Sequence, residues 1–72
     1  MRAYVYVVAA VGGEAWELHS SAPGADQVLP TREQALLAAR AMARRQWEVE
    51  GRRSGVRVQD ASGAWADDAV FG

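Results

Sequence analysis

The sequence predicts an α+β domain in which one helix packs on one face of a four-stranded, mainly antiparallel sheet. Three observations carry this. One stretch, Thr31 to Gly51, has helical start and stop signals around an apolar stripe. Short runs rich in β-branched and aromatic residues flank it in pairs, 3–11 and 15–20 before it, 56–59 and 64–70 after it. The 72 residues leave room for a single domain, 1–72. The order strand, strand, helix, strand, strand then gives a sheet covered on one side.

Residues 3–11 (AYVYVVAAV) form the first strand, and Gly12-Gly13 is a two-residue hairpin signal that takes positive φ. The second strand, 15–20, alternates, with Trp16 and Leu18 on one face and Glu17 and His19 on the other. If the two glycines are the loop, Val11 pairs with Glu14, Trp16 lies opposite Ala9 and Leu18 opposite Val7. Residues 20–30 (SSAPGADQVLP) read as a loop, with a Pro23-Gly24 turn and Val28-Leu29 as an apolar anchor.

Thr31 can cap the helix, and Gln34 stands three residues on, at capping-box spacing. Pro30 holds Leu29 extended, and Gly51 suits a left-handed C-terminal cap. At 100° per residue, Ala35, Leu36, Ala39, Met42, Ala43 and Trp47 face the sheet, the three alanines making a flat strip. Arg40, Arg44, Glu33 and Glu48 fall on the opposite side, with Leu37 exposed among them. Beyond the helix, Val56 to Gln59 alternates, Asp60-Ala61-Ser62-Gly63 is a tight turn, and a last strand follows. Val56, Val58, Trp65 and Phe71 make the expected inner set there.

Composition narrows the function. Half the residues are hydrophobic, but fifteen of them are alanine, so large core side chains are few. A chain this short buries only about 60% of its unfolded surface, and a second copy is the cheapest source of more. There is no cysteine to form a disulfide or a thiolate metal site. Ile, Lys and Asn are missing too, which points to a high-GC bacterial genome. No run of about 20 apolar residues spans a membrane. The opening MRAYVYVVAAVGG places Arg2 before an apolar run, but Tyr4 and Tyr6 interrupt it and no convincing cleavage site follows. It reads as a strand of a cytoplasmic protein.

Net charge is −1, which argues against bulk nucleic-acid affinity. The distribution is lopsided. Residues 40–57 hold six arginines against Glu48 and Glu50, a net of +4, while the remainder holds two arginines against seven acids, a net of −5.

The chain resembles a family of small bacterial domains of unknown function with the same order of elements. The matching residues are Trp16 after the glycine turn, Thr31-x-x-x-Ala35 opening an Ala-rich helix, Val56-x-Val58-x-Asp60-x-x-Gly63, and Phe71-Gly72. The likeness covers 14–72 and implies the fold alone, with no activity and no site residues. The first strand, with its two tyrosines, departs from the family's pattern.

No catalytic constellation is legible. The one histidine, His19, falls on the outer face of what reads as an edge hairpin, and Ser20 and Ser21 beside it lack the arrangement of a triad. Asp60 is not followed by a calcium-loop pattern. Asp67 and Asp68 point to opposite faces of a strand, as charges that discourage edge pairing. Gly12-Gly13 lacks the strand–loop–helix context of a phosphate cradle. The expectation is a non-enzyme with no cofactor and no metal.

Two surfaces remain. The sheet face away from the helix shows Tyr4, Tyr6, Val8, Glu17 and His19, with Arg57 and Gln59. Strand one is thus apolar on both sides, which asks for cover. A second copy would supply it by packing sheet on sheet or by joining edges, making a homodimer. Alternatively Tyr4 and Tyr6 stack unpaired bases of a nucleic acid while arginines hold phosphates. The second surface is Arg40, Arg44, Arg45, Arg52 and Arg53, which with Arg57 would meet nucleic acid or an acidic protein partner.

Overall fold

A computed structural model describes residues 2–10, 12–20 and 26–72. Its elements are β1 (Ala3–Ala9), β2 (Trp16–Ser20), β3 (Gln27–Leu29), α1 (Arg32–Glu48), β4 (Ser54–Gln59) and β5 (Trp65–Phe71). They form one five-stranded sheet in the order β3-β2-β1-β4-β5, with α1 across one face. The α+β class and the single helix stand. The count of four strands does not, and the sheet is mixed, because β1 and β4 run parallel while the other three pairings are antiparallel.

The extra strand lies within the stretch read as a loop. Val28 and Leu29 do more than anchor the chain: with Gln27 they pair with Leu18, Glu17 and Trp16. Three residues are too few for a period of two to show. As a result β2 is an inner strand and β3 the edge. The proposed Pro23-Gly24 turn and the Val11–Glu14 pair lie outside the described residues.

The hairpin register follows the glycine turn. Trp16 stands opposite Ala9 and Leu18 opposite Val7. Gly12 and Gly13 have φ of 96° and 73°, the left-handed values that a side chain would resist. The helix also begins where its signals lie: the Gln34 amide donates to Thr31 Oγ1 at 3.1 Å. At the other end Gly51 adopts φ of 67°, and its amide donates to the Trp47 carbonyl.

Val5, Val7, Leu18, Val56 and Val58 of the sheet meet Ala35, Leu36, Ala39 and Ala43 of the helix. The three alanines are fully buried, so the helix lies close on the sheet with few large residues. Leu18 is the largest fully buried side chain, and burial of a group this size contributes about 1.5–3 kcal/mol. Trp47 was expected on this face, yet it is 39% exposed, and Gln46 takes the buried position instead. Gln46 continues the strip of 39 and 43 at helical spacing. Trp47, one residue on, lies against Gly72, where an added Cβ would come within 2.9 Å of its ring.

A second correction concerns β5. Trp65 pairs with Gln59 and Asp67 with Arg57, then the register shifts, and Ala69 pairs with Val56. Asp68 is the extra residue of a β-bulge, which reverses the alternation. A regular strand would put Trp65 and Phe71 on one face. With the bulge, Phe71 packs against the core while Trp65 emerges on the far side. Asp67 and Asp68 do diverge: one meets Arg57 on the outer face, the other meets Arg40 of the helix. At the end of β5, the Arg2 guanidinium donates to the carbonyls of Ser54 and Phe71, each at 2.9 Å.

Candidate interaction surface

The uncovered sheet face is built from three rows. Tyr4 and Tyr6 belong to β1, the middle strand, so neighbours approach from both sides. Tyr4 stands beside Gly55, and Gly55 beside Val70. Tyr6 stands between His19 and Arg57, and Arg57 pairs onward with Asp67. Val8 stands beside Glu17, and Glu17 beside Val28 on the edge. The sheet thus gathers Tyr4, Tyr6, Val8 and His19 on one surface, as the alternation of β1 and β2 predicts.

The rings are less bare than the sequence implies. A Cβ on Gly55 would stand 3.0 Å from Tyr4 Cε1, so the glycine is the floor on which that ring lies. Above it, the Arg57 guanidinium carbon is 3.8 Å from the ring centre, a cation–π stack. Arg57 also donates from Nε to Asp67 Oδ1 at 2.9 Å. That bond holds the Arg57 pKa above its ordinary value, against a smaller opposing effect of burial. Tyr4 is half-buried as a result.

Tyr6 is 37% exposed and meets Trp65 edge-on, with ring centres 5.3 Å apart and planes at 76°. This is a favoured aromatic geometry. Trp65 was missed as a surface residue because a bulge has no marker in a pattern of alternation. Three rings, Tyr4, Tyr6 and Trp65, therefore make one cluster. His19 is exposed beside it, with Nε2 2.9 Å from Glu17 Oε1 and Nδ1 3.7 Å from Asp26.

The arginine set does not form one open basic surface. Arg40 grips Asp68 with Nε and Nη2 at 2.7 and 2.8 Å. That contact, foremost its hydrogen bonds, holds the Asp68 carboxyl below the usual carboxylate range. Arg44 lies 4.0 Å from Glu48 and 5.8 Å from the Phe71 ring centre. Among the described residues, Arg45, Arg52 and Arg53 have no ion-pair partner within 4 Å. A shallow depression of about 420 Å³ on the outer side of α1 runs between Leu37, Ala41, Arg44 and Val49. The structure thus separates Arg57 and Arg40, each committed to an aspartate, from the other four.

Among the described residues no three His, Asp or Glu side chains converge as a metal site would require. Also among them, no helix is long and apolar enough to cross a membrane. No known protein family, curated protein or solved structure matches the chain.

Proposed function

We propose that this chain is a small, non-catalytic association module of the bacterial cytoplasm that pairs with a second copy of itself. The observation that carries the reading is the outer sheet face, where Tyr6, Trp65, Val28 and Val70 leave 37–70% of their surface exposed on one side of a 72-residue chain. The Tyr6–Trp65 pair supplies the aromatic part of this exposure, with the two valines on opposite edge strands, and uncovered aromatic surface of this kind fits an interaction site. Within the face Arg57 is paired with Asp67, and Glu17 is hydrogen-bonded to His19. The likeness to small bacterial domains without known activity belongs to the same proposal, and it assigns no reaction.

The test is the molecular mass in solution over a range of concentrations, by light scattering. A dimer that becomes monomeric or unfolded when Tyr4 and Tyr6 are both changed to Ser supports the reading. A wild-type chain that stays monomeric at millimolar concentration overturns it.

A second reading, a nucleic-acid-binding accessory protein, is favoured by one observation: Trp65 raises the ring count of the face to three. Base stacking on such a platform is worth about 1–3 kcal/mol per base. Against it, one face of Tyr4 is already occupied by Arg57, and Arg40 and Arg57 are held by aspartates. Gel shifts with single- and double-stranded oligonucleotides at two salt levels decide it. Binding that weakens steeply with salt supports this reading, and no binding at low salt removes it.

A further inference from the structure

Resting on the self-pairing reading, we propose that two copies pack sheet against sheet about a twofold axis along β1, seating Trp65 of each copy on Val28 of the other. The register carries this geometry. Val28, Glu17 and Val8 stand side by side on β3, β2 and β1. One residue beyond the Val7–Val58 pair, the same row continues through Gln59 to Trp65. Its two ends are exposed and apolar, Val28 at 70% and Trp65 at 47%.

Because β1 is the third of five strands, a twofold along it lays β3 over β5 and β2 over β4 of the other copy. The row then meets itself reversed. Trp65 covers Val28, Gln59 can donate to Glu17, and Val8 faces Val8. A twofold laid across the strands at the level of Tyr6 would set Arg57, Asp67 and Asp26 each against its own copy, which costs energy in a closed interface. The axis along β1 lays Arg57 over His19 and leaves Asp67 facing Asp26 only at the rim.

Edge-to-edge pairing is disfavoured by the edges themselves. β3 offers three residues between Asp26 and Pro30, and β5 is bulged at Asp68 with Asp67 beside it. A standard interface takes about 800 Å² from each partner, and the two longer dimensions of the molecule, 36 and 23 Å, bound a rectangle of that order, so a sheet-on-sheet dimer uses nearly the whole face. Sheets packed in this aligned way lie about 10 Å apart.

The chain has no cysteine, so single introduced cysteines report contacts cleanly. The experiment treats Val8→Cys, Tyr4→Cys and Val28→Cys variants with a bis-maleimide whose span is about 10 Å, the sheet separation. The expected result is self-crosslinking at both 8 and 4, since both lie on the axis, and none at 28. In parallel, Val28→Glu on the exposed edge weakens dimerisation at least about tenfold by setting a carboxylate against Trp65, with the fold checked by circular dichroism. A dimer that crosslinks at 28, or at only one of 8 and 4 while both of those variants are still dimeric by light scattering, overturns the axis while leaving self-association intact. Unchanged affinity in Val28→Glu overturns the Trp65 seat. A wild-type chain with no dimer overturns the association reading itself.

Discussion

Arg40 and Asp68 are joined by two hydrogen bonds, Nε to Oδ2 at 2.7 Å and Nη2 to Oδ1 at 2.8 Å, which fasten the outer flank of α1 to the bulge of β5. The paired geometry is the one in which guanidinium and carboxylate match best. The bulge turns Asp68 towards the helix, and the same bulge sends Trp65 to the other side.

This pair makes stability depend on acid. Asp68 has a folded-state pKa below its ordinary value, chiefly through the bonds from Arg40. A depressed carboxyl stabilises the fold above its unfolded pKa, near 4, and that contribution is lost as pH falls through the folded value. Asp68→Asn is therefore expected to be less stable than wild type at pH 7. The gap narrows below about pH 4, as read from urea midpoints across pH. Equal gaps at pH 7 and at the acid end would show that the pair carries no linkage.

Gly55 is expected to be intolerant of alanine. Its added methyl would stand 3.0 Å from both Tyr4 Cε1 and the Ala69 carbonyl oxygen, and overpacking of this kind costs about 1–3 kcal/mol. Tyr4→Ala in the same chain recovers only the part due to the ring. Denaturant unfolding of the two single variants and the double variant measures that coupling.

Two buried polar side chains are expected to respond in opposite ways. Ser54 is fully buried and its hydroxyl donates to the Ala43 carbonyl, so Ser54→Ala loses about 1 kcal/mol. Gln46 is also buried, but its Oε1 has no hydrogen-bond partner among the described residues. Gln46→Met keeps the length of the side chain without that oxygen and gains about 1 kcal/mol. Thermal melts of both variants check the signs.

Capping can be tested directly. Thr31→Ala removes the acceptor of the Gln34 amide and is expected to cost about 1 kcal/mol. Thr31→Asp restores the acceptor and adds a charge that suits a helix N-terminus. It melts at or above wild type.

What the sequence disclosed follows from local physics. Thr31, Gln34 and Gly51 bound the helix by their own chemistry, and Gly12-Gly13 set the pairing of Trp16 with Ala9. The outer positions of Tyr4, Tyr6, Val8 and His19 followed from alternation. What stayed hidden depends on partners far along the chain. The bulge at Asp68 is stabilised by Arg40, 28 residues away, so nothing near Trp65 announces that its face is reversed. The same contact withdraws Arg40 from the basic set. Strand β3 exists because β2 offers it an edge, and three residues of their own could not declare it. Gln46 takes the buried position while the Trp47 indole rests on Gly72, and the end of β5 is placed there only by folding.

The parallel pairing of β1 with β4 has a kinetic consequence. Ala3 aligns with Ser54 and Val7 with Val58, so the middle of the sheet is a seam between stretches about fifty residues apart. Both flanks, by contrast, are local hairpins that close on themselves within a few residues of turn. Loop-closure entropy falls on the seam, which must wait until the intervening hairpin and helix can be laid across it. The seam, with Val5 beside Val56, is therefore expected to be among the last contacts to form.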